Sequence, residues 1–160
     1  MDISKRQKLF GVGPVGALTS LALLIVAVWV HRALAHPAIL ANPAPIKVIG
    51  VFFVVIGLGL HFWSMWTLRN WWGKDELCIQ GPFKWFRHPM YAAWITFVLP
   101  GMALYLNSWI ILFFVILLHP IWHLLVIREE KMMFAKFHDE YRAYAARTGR
   151  FFPRIWHRQI

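Results

Sequence analysis

Of the 160 residues, 59% are hydrophobic and only 15% are charged, a balance too apolar for an ordinary water-soluble domain of this length. The length accommodates one domain, residues 1–160, with room for about four spanning helices of roughly 20 residues each and no large soluble unit. The net charge of +10 could suggest a nucleic-acid partner, but the placement of the charges along the chain argues against one.

The chain opens with a short basic lead containing Lys5, Arg6 and Lys8, followed by an apolar run over about 12–30. With Ala33-Leu34-Ala35 behind it, this imitates a secretory signal and its cleavage site. The run exceeds the usual 7 to 15 residues of such a signal, so an anchor helix is expected. Pro37, Pro43 and Pro45 then mark a non-helical connection. A second span is expected over about 46–68, with Gly50, Gly57 and Gly59 allowing a neighbouring helix to come close. Trp63, Trp66, Trp71 and Trp72 follow at the position of an interfacial aromatic belt.

The third span is expected over about 90–106 and the fourth over about 109–127, joined by Asn107-Ser108 into an antiparallel hairpin. Pro100 and Pro120 fall inside these spans. Each frees the carbonyl four residues back, on Thr96 and Ile116, and is expected to kink its helix; the result is either space between helices or mere irregular packing. Beyond Ile127 the polarity changes abruptly. Met133, Phe137, Tyr141 and Tyr144 recur at helical spacing with charged residues on the other faces, which predicts a separate amphipathic helix over about 129–147. It would lie on the membrane surface or cap the ends of the spans. Thr148-Gly149-Arg150 ends it, and Phe151-Phe152-Pro153 turns back toward the bundle.

With the spans placed, fifteen of the 17 Lys and Arg fall on one side of the membrane, and only Arg32 and Lys47 on the other. The positive-inside rule then puts both termini in the cytoplasm. The basic excess reads as topology and attraction to anionic membrane lipids. The single cysteine, Cys78, allows no internal disulfide and falls on the reducing side.

Three polar groups stand out from this apolar background. In Gly81-Pro82-Phe83-Lys84-Trp85-Phe86-Arg87-His88-Pro89-Met90-Tyr91, the restriction on residues before proline places His88 near the N-cap and Pro89 near N1 of the third span. Free amides there suit an anionic group, and Arg87 adds a carboxylate-binding fork; the alternative is a snorkelling Arg beside a capping His. Glu129-Glu130 put two carboxylates at the mouth of the fourth span, about 100° apart around the helix, so at least one is expected to point inward toward a cation or donor. The alternative is surface pairing with Arg128 or Lys131. His61, His119 and His123 form the third group. The last two share a helix face at a spacing suited to metal or haem, but no further ligand accompanies them, so pocket lining or interhelical hydrogen bonding is expected and no metal site.

The order Gly81-Pro82-Phe83, Arg87-His88-Pro89-Met90-Tyr91, an apolar hairpin, Glu129-Glu130, then Phe137, Glu140-Tyr141, Tyr144 and Arg150-Phe151-Phe152-Pro153 resembles the isoprenylcysteine carboxyl methyltransferase family. Its wider superfamily includes the phospholipid N-methyltransferases. The resemblance covers about two-thirds of the chain. It implies an all-α integral membrane enzyme that uses S-adenosylmethionine at the cytoplasmic face and a lipophilic acceptor from the bilayer. Carried over by position, His88 and Tyr91 would meet the cofactor with Pro89 shaping the loop, Glu129 or Glu130 would hold its amino group or ribose, and Leu77, Cys78 and Phe83 match the loop that wraps it; the charge pattern agrees, with Arg87 and the helix amides for its carboxylate. Ala93 departs from the glycine common two residues beyond the motif tyrosine. The N-terminal third is shorter than in the larger eukaryotic enzymes.

In-line methyl transfer to a carboxylate or thiolate needs no base, whereas an amine would need one, for which His88, His119 and His123 are the candidates. A nicotinamide-dependent sterol-reductase-like enzyme and a non-enzymatic haem or metal protein held through His119 and His123 are the alternatives of other classes.

Overall fold

The structure, a computed structural model, describes residues 12–71 and 73–154. Lys5, Arg6, Lys8, Trp72 and Arg158, used above for topology and the aromatic belt, lie outside the described residues. Four helices make up the bundle: α1 (Val12–Ala33), α2 (Ala44–Arg69), α3 (Pro89–Tyr105) and α4 (Trp109–Arg147). Among the described residues the only β pairing is two isolated bridges. Helices α1, α2 and α4 are long and apolar enough to cross a membrane, and α3 is a shorter apolar helix. The chain is an all-α integral membrane protein.

Each helix starts where the sequence supplies a start signal. Proline lies in the first turn of α2 and of α3, where its missing N–H costs nothing. Ser108 caps α4, its hydroxyl accepting from Ile111 N at 3.2 Å. Asn107 adopts φ 52° to make the tight turn into α4, a conformation asparagine tolerates. Its side chain also pins the α1–α2 connection, accepting from Ile39 N and Leu40 N and donating to Leu40 O.

Helix α1 packs on α4, α2 on α3, and α3 on α4. In the membrane there is no hydrophobic drive between helices, so close backbone approach decides where they meet. A methyl built on Gly50 would stand 2.6 Å from the Gly101 carbonyl oxygen, and one on Gly101 2.7 Å from that of Gly50. The two glycines therefore set the α2–α3 crossing. Gly59, expected to take part, faces open space.

Pro100 acts locally: the turn ahead of it, Ala93–Val98, is a π-helical turn, one recognised way of absorbing a lost i→i−4 bond. Pro120 does not interrupt α4, whose one non-helical position is His138 (φ 44°, ψ −117°). The predicted division between a fourth span and a separate amphipathic helix does not fall at Arg128; the helix runs on and breaks at His138. Arg128-Glu129-Glu130-Lys131 contains only good helix formers, so the change of polarity marks the membrane boundary without ending the helix. Residues 109–137 extend roughly 43 Å, longer than the hydrocarbon thickness, and the break at His138 lets Arg87 reach both Glu130 and Ala145. The distal part of α4 carries the predicted stripe inward: Tyr141 and Tyr144 are buried with Leu77, and Met133 and Phe137 pack against them.

After Arg147 the chain carries an apolar segment to the bundle, as expected. Phe86 and Gly149 form a parallel bridge, built from Arg87 N to Gly149 O at 2.7 Å and Gly149 N to Trp85 O at 3.1 Å. Phe151 is 1% exposed in the core.

Candidate active site

The polar groups of the α3 entrance and of the α4 boundary meet in space. His88 is the N-cap residue and Pro89 the first residue of α3, as the proline rules require. Across from them, Glu129 and Glu130 leave one turn of α4 in two directions. His88 stands between the two, with Nδ1 3.6 Å from Glu129 Oε2 and Nε2 3.6 Å from Glu130 Oε1. Its Nε2 is buried and has no hydrogen-bond partner.

The two carboxylates have different surroundings. Glu130 is 6% exposed and is held by Arg87 Nε at 2.7 Å and by Arg150 Nη2 at 2.6 Å and Nε at 3.0 Å. Arg87 also donates through Nη1 to Ala145 O and Thr148 O at 2.8 and 2.5 Å, which fastens the end of α4 to the start of α3. Glu130 lies outside the apolar span ending at Ile127. Burial would raise its pKa, but the nearby His88 ring and the hydrogen bonds from Arg150 and Arg87 prevail and hold the carboxyl well below the usual carboxylate range. Such a buried, doubly paired carboxylate is a clamp.

Glu129 is less enclosed. Its Oε1 accepts from the Tyr91 hydroxyl and from the Val12 amide, each at 3.0 Å. Its Oε2 accepts no hydrogen bond among the described residues and has only His88 nearby. Tyr91 in turn stacks on His88, with centroids 5.7 Å apart and planes 13° apart, and packs against Trp122 at 4.6 Å.

Through Tyr91 the polar cluster reaches an apolar cavity of about 420 Å³ between α1 and α3, to which α2 adds His61 and α4 adds Trp122. Ser20, His61, Tyr91, Trp94, Ile95 and Trp122 are on its walls. Trp122 Nε1 donates to Ser20 Oγ at 3.0 Å, so that indole is satisfied. His61 Nδ1 is buried without a partner. A second, wider hollow shares His61 and Met90 and continues along α2.

The remaining predicted residues lie around this centre. Leu77 is buried against Tyr141 and Tyr144. Phe83 is buried in the 3-10 turn Gly81–Lys84, where its carbonyl accepts from the Tyr144 hydroxyl at 2.8 Å. Cys78 is half-buried, and burial pushes its thiol pKa up. His119 and His123 face the returning segment instead of Glu129: His119 stacks on Phe152 at 5.3 Å, and His123 meets Phe151 at 4.8 Å and Arg150 Nη1 at 3.4 Å. Among the described residues, no three His, Cys, Asp or Glu side chains are grouped so as to hold a metal ion.

Sequence reasoning expected pocket lining by the histidines, as His61 shows, but did not pair Arg150 with Glu130, bring the Val12 amide to Glu129, or place Ser20 and Trp122 around a cavity. The only advance signal was Arg150 directly before the apolar Phe151, which implied that the arginine would be carried inward.

Compared with known proteins, residues 46–140 match the family described as phospholipid methyltransferase. No curated protein matches the chain. Among solved structures, the chain is similar to the eukaryotic intramembrane Ras methyltransferase, an isoprenylcysteine carboxyl methyltransferase, at 20% identity and a TM-score of 0.58. The match covers 97% of this chain and 55% of that one, so the chain spans about half the length of that enzyme. That likeness is one of fold.

Proposed function

The chain belongs to the phospholipid methyltransferase family, and from that premise we propose that it transfers a methyl group from S-adenosylmethionine to a lipophilic acceptor, as an isoprenylcysteine carboxyl methyltransferase does. The observation that carries this reading is the position of Tyr91, whose ring lines the apolar cavity while its hydroxyl rests on Glu129. A polar site for a zwitterionic cofactor and an apolar site for a lipid thus share one residue.

The residues present fit the cofactor. Glu129 has an oxygen without a hydrogen bond, suited to an ammonium group, and the partnerless His88 Nε2 adds a polar contact. The amides at the start of α3 suit its carboxylate, and the Tyr91 face suits a sulfonium. Arg87 spends its Nε and Nη1 donors on Glu130 and two carbonyls; we assign it, with Arg150, to positioning. Leu77, Cys78, Phe83 and Pro89 shape the surrounding loop. When bound, the cofactor supplies an electrophilic methyl group. The chain's own contribution is to hold two reactants in line and to exclude water, which is where most of the rate enhancement for such a transfer arises.

The distribution of Lys and Arg along the sequence supports a cytoplasmic position for both termini and for the Glu129 mouth. A second reading, methylation of an amine headgroup, is favoured by the family match and by a carboxylate at the cavity mouth, which attracts a cationic acceptor. His88, between two carboxylates, would then take the proton. The deciding experiment is radiolabelled methyl transfer to N-acetyl-S-farnesylcysteine and, separately, to phosphatidylethanolamine. Transfer to the first only supports carboxyl methylation, transfer to the second only supports the amine reading, and transfer to neither rejects both.

A further inference from the structure

Beside Tyr144 lies a separate hollow of about 290 Å³ walled by Lys84, Trp85, Arg147, Thr148 and Arg154. It shares no residue with the His88–Glu129–Glu130 cluster or with the apolar cavity. Its two hydroxyls are already satisfied: that of Thr148 donates to Tyr144 O at 2.8 Å, and that of Tyr144 donates to Phe83 O and Phe86 O. Its cations are not. No ion pair among the described residues involves Lys84, Arg147 or Arg154, whereas Arg87, Arg142, Arg150 and Lys136 all have carboxylate partners. Arg147 and Arg154 each use one donor on a backbone carbonyl of α4, Nε to Ala143 O and Nη1 to Ala146 O, and keep the rest of the guanidinium fork.

Three like charges gathered around one concavity repel one another, and an anion set among them converts that repulsion into charge-assisted hydrogen bonds. The depth of the hollow indicates the kind of anion. Trp85 meets Trp63 edge-on at 5.8 Å, and Trp63 stands near the end of α2, at the level where indoles mark the lipid headgroups. A hollow beside that pair opens among headgroup phosphates.

We infer that the hollow formed by Lys84, Arg147 and Arg154 binds the phosphate of an anionic phospholipid headgroup, as a site distinct from that of the methyl acceptor. Occupancy also bears on the active site. Trp85 and Thr148 flank the bridge at Phe86 and Gly149, and Thr148 O receives Arg87 Nη1. A headgroup held across these walls ties the segments that aim Arg87 at Glu130.

The test is calorimetric titration of the full chain in a non-ionic detergent with dioctanoyl phosphatidylglycerol, dioctanoyl phosphatidylcholine and inorganic phosphate. Phosphatidylglycerol binds saturably and phosphatidylcholine does not. Each of Lys84→Gln, Arg147→Gln and Arg154→Gln weakens binding by about fivefold, the scale of one basic residue at an anionic surface. These side chains are exposed, so the variants are expected to fold, and melting curves check that they do. Arg142→Gln, which removes an exposed cation paired with Asp139, leaves binding within about twofold, below the scale of one surface charge. Equal affinity for inorganic phosphate and phosphatidylglycerol, both sensitive to the three substitutions, assigns the hollow to free phosphate and overturns the lipid assignment. Unchanged binding in all three variants, or an equal loss in Arg142→Gln, overturns the site itself.

Discussion

The Tyr91 hydroxyl donates to Glu129 Oε1 over 3.0 Å, joining the first turn of α3 to the membrane boundary of α4. The same ring lines the apolar cavity, so this bond is where the polar and apolar halves of the site touch.

Tyr91→Phe keeps the ring between His88 and Trp122 and removes only the hydroxyl. A hydrogen bond to a charged group contributes about 1.5–3 kcal/mol. Methyl transfer is expected to fall about tenfold or more, with a small change in melting temperature. Equal losses of activity and of folded protein would instead make the bond structural.

Glu130→Gln tests the clamp. It leaves Arg87 and Arg150 without their buried counter-charge, which typically costs about 3–5 kcal/mol. The melting temperature in detergent is expected to drop by many degrees. Glu129→Gln removes a carboxylate that has no Lys or Arg ion-pair partner among the described residues and is expected to melt close to the wild type. The order of the two melting temperatures is the readout.

The helical bundle was legible in the sequence because helix length and apolarity are local properties, and so was the encounter of the His88 entrance with Glu129-Glu130, because a short hairpin leaves few alternatives. The place where α4 breaks, His138 and not the polarity boundary, was not. A change of polarity resembles an element boundary when read along a chain, yet Arg128 to Lys131 carry no residue that stops a helix. The division of labour between the carboxylates was equally hidden. It depends on Arg150, twenty positions from Glu130, and on the Val12 amide, 117 positions from Glu129, and neither contact leaves a periodic trace.

Acid should act through Glu130. A carboxyl whose folded pKa is depressed contributes stability that is complete above its unfolded value, about 4.3, and is lost as pH falls from there toward the folded value. The melting temperature is expected to vary little with this group between neutral pH and about 5 and to decline below about 4. In Glu130→Gln this acid-dependent component should disappear. A wild-type curve that overlays the variant's through the acid range would contradict the assignment.

The cavity makes a prediction that separates acceptor from cofactor. Ala17 is exposed on α1 and lines the cavity, so Ala17→Trp fills space without disturbing a buried contact. The KM for a lipophilic acceptor is expected to rise about tenfold, the scale of a few lost apolar contacts, while S-adenosylhomocysteine binding is unchanged. An unaltered KM would place the acceptor elsewhere.

The assignment of Glu129 and His88 to the cofactor is tested by titrating S-adenosylhomocysteine into the wild type, Glu129→Gln and His88→Ala, each checked for folding. The wild type should bind with one-to-one stoichiometry, and each substitution should weaken binding by about tenfold or more, as expected for loss of a contact to a charged group. Absence of binding to the wild type, or the same affinity in all three proteins, would contradict the assignment.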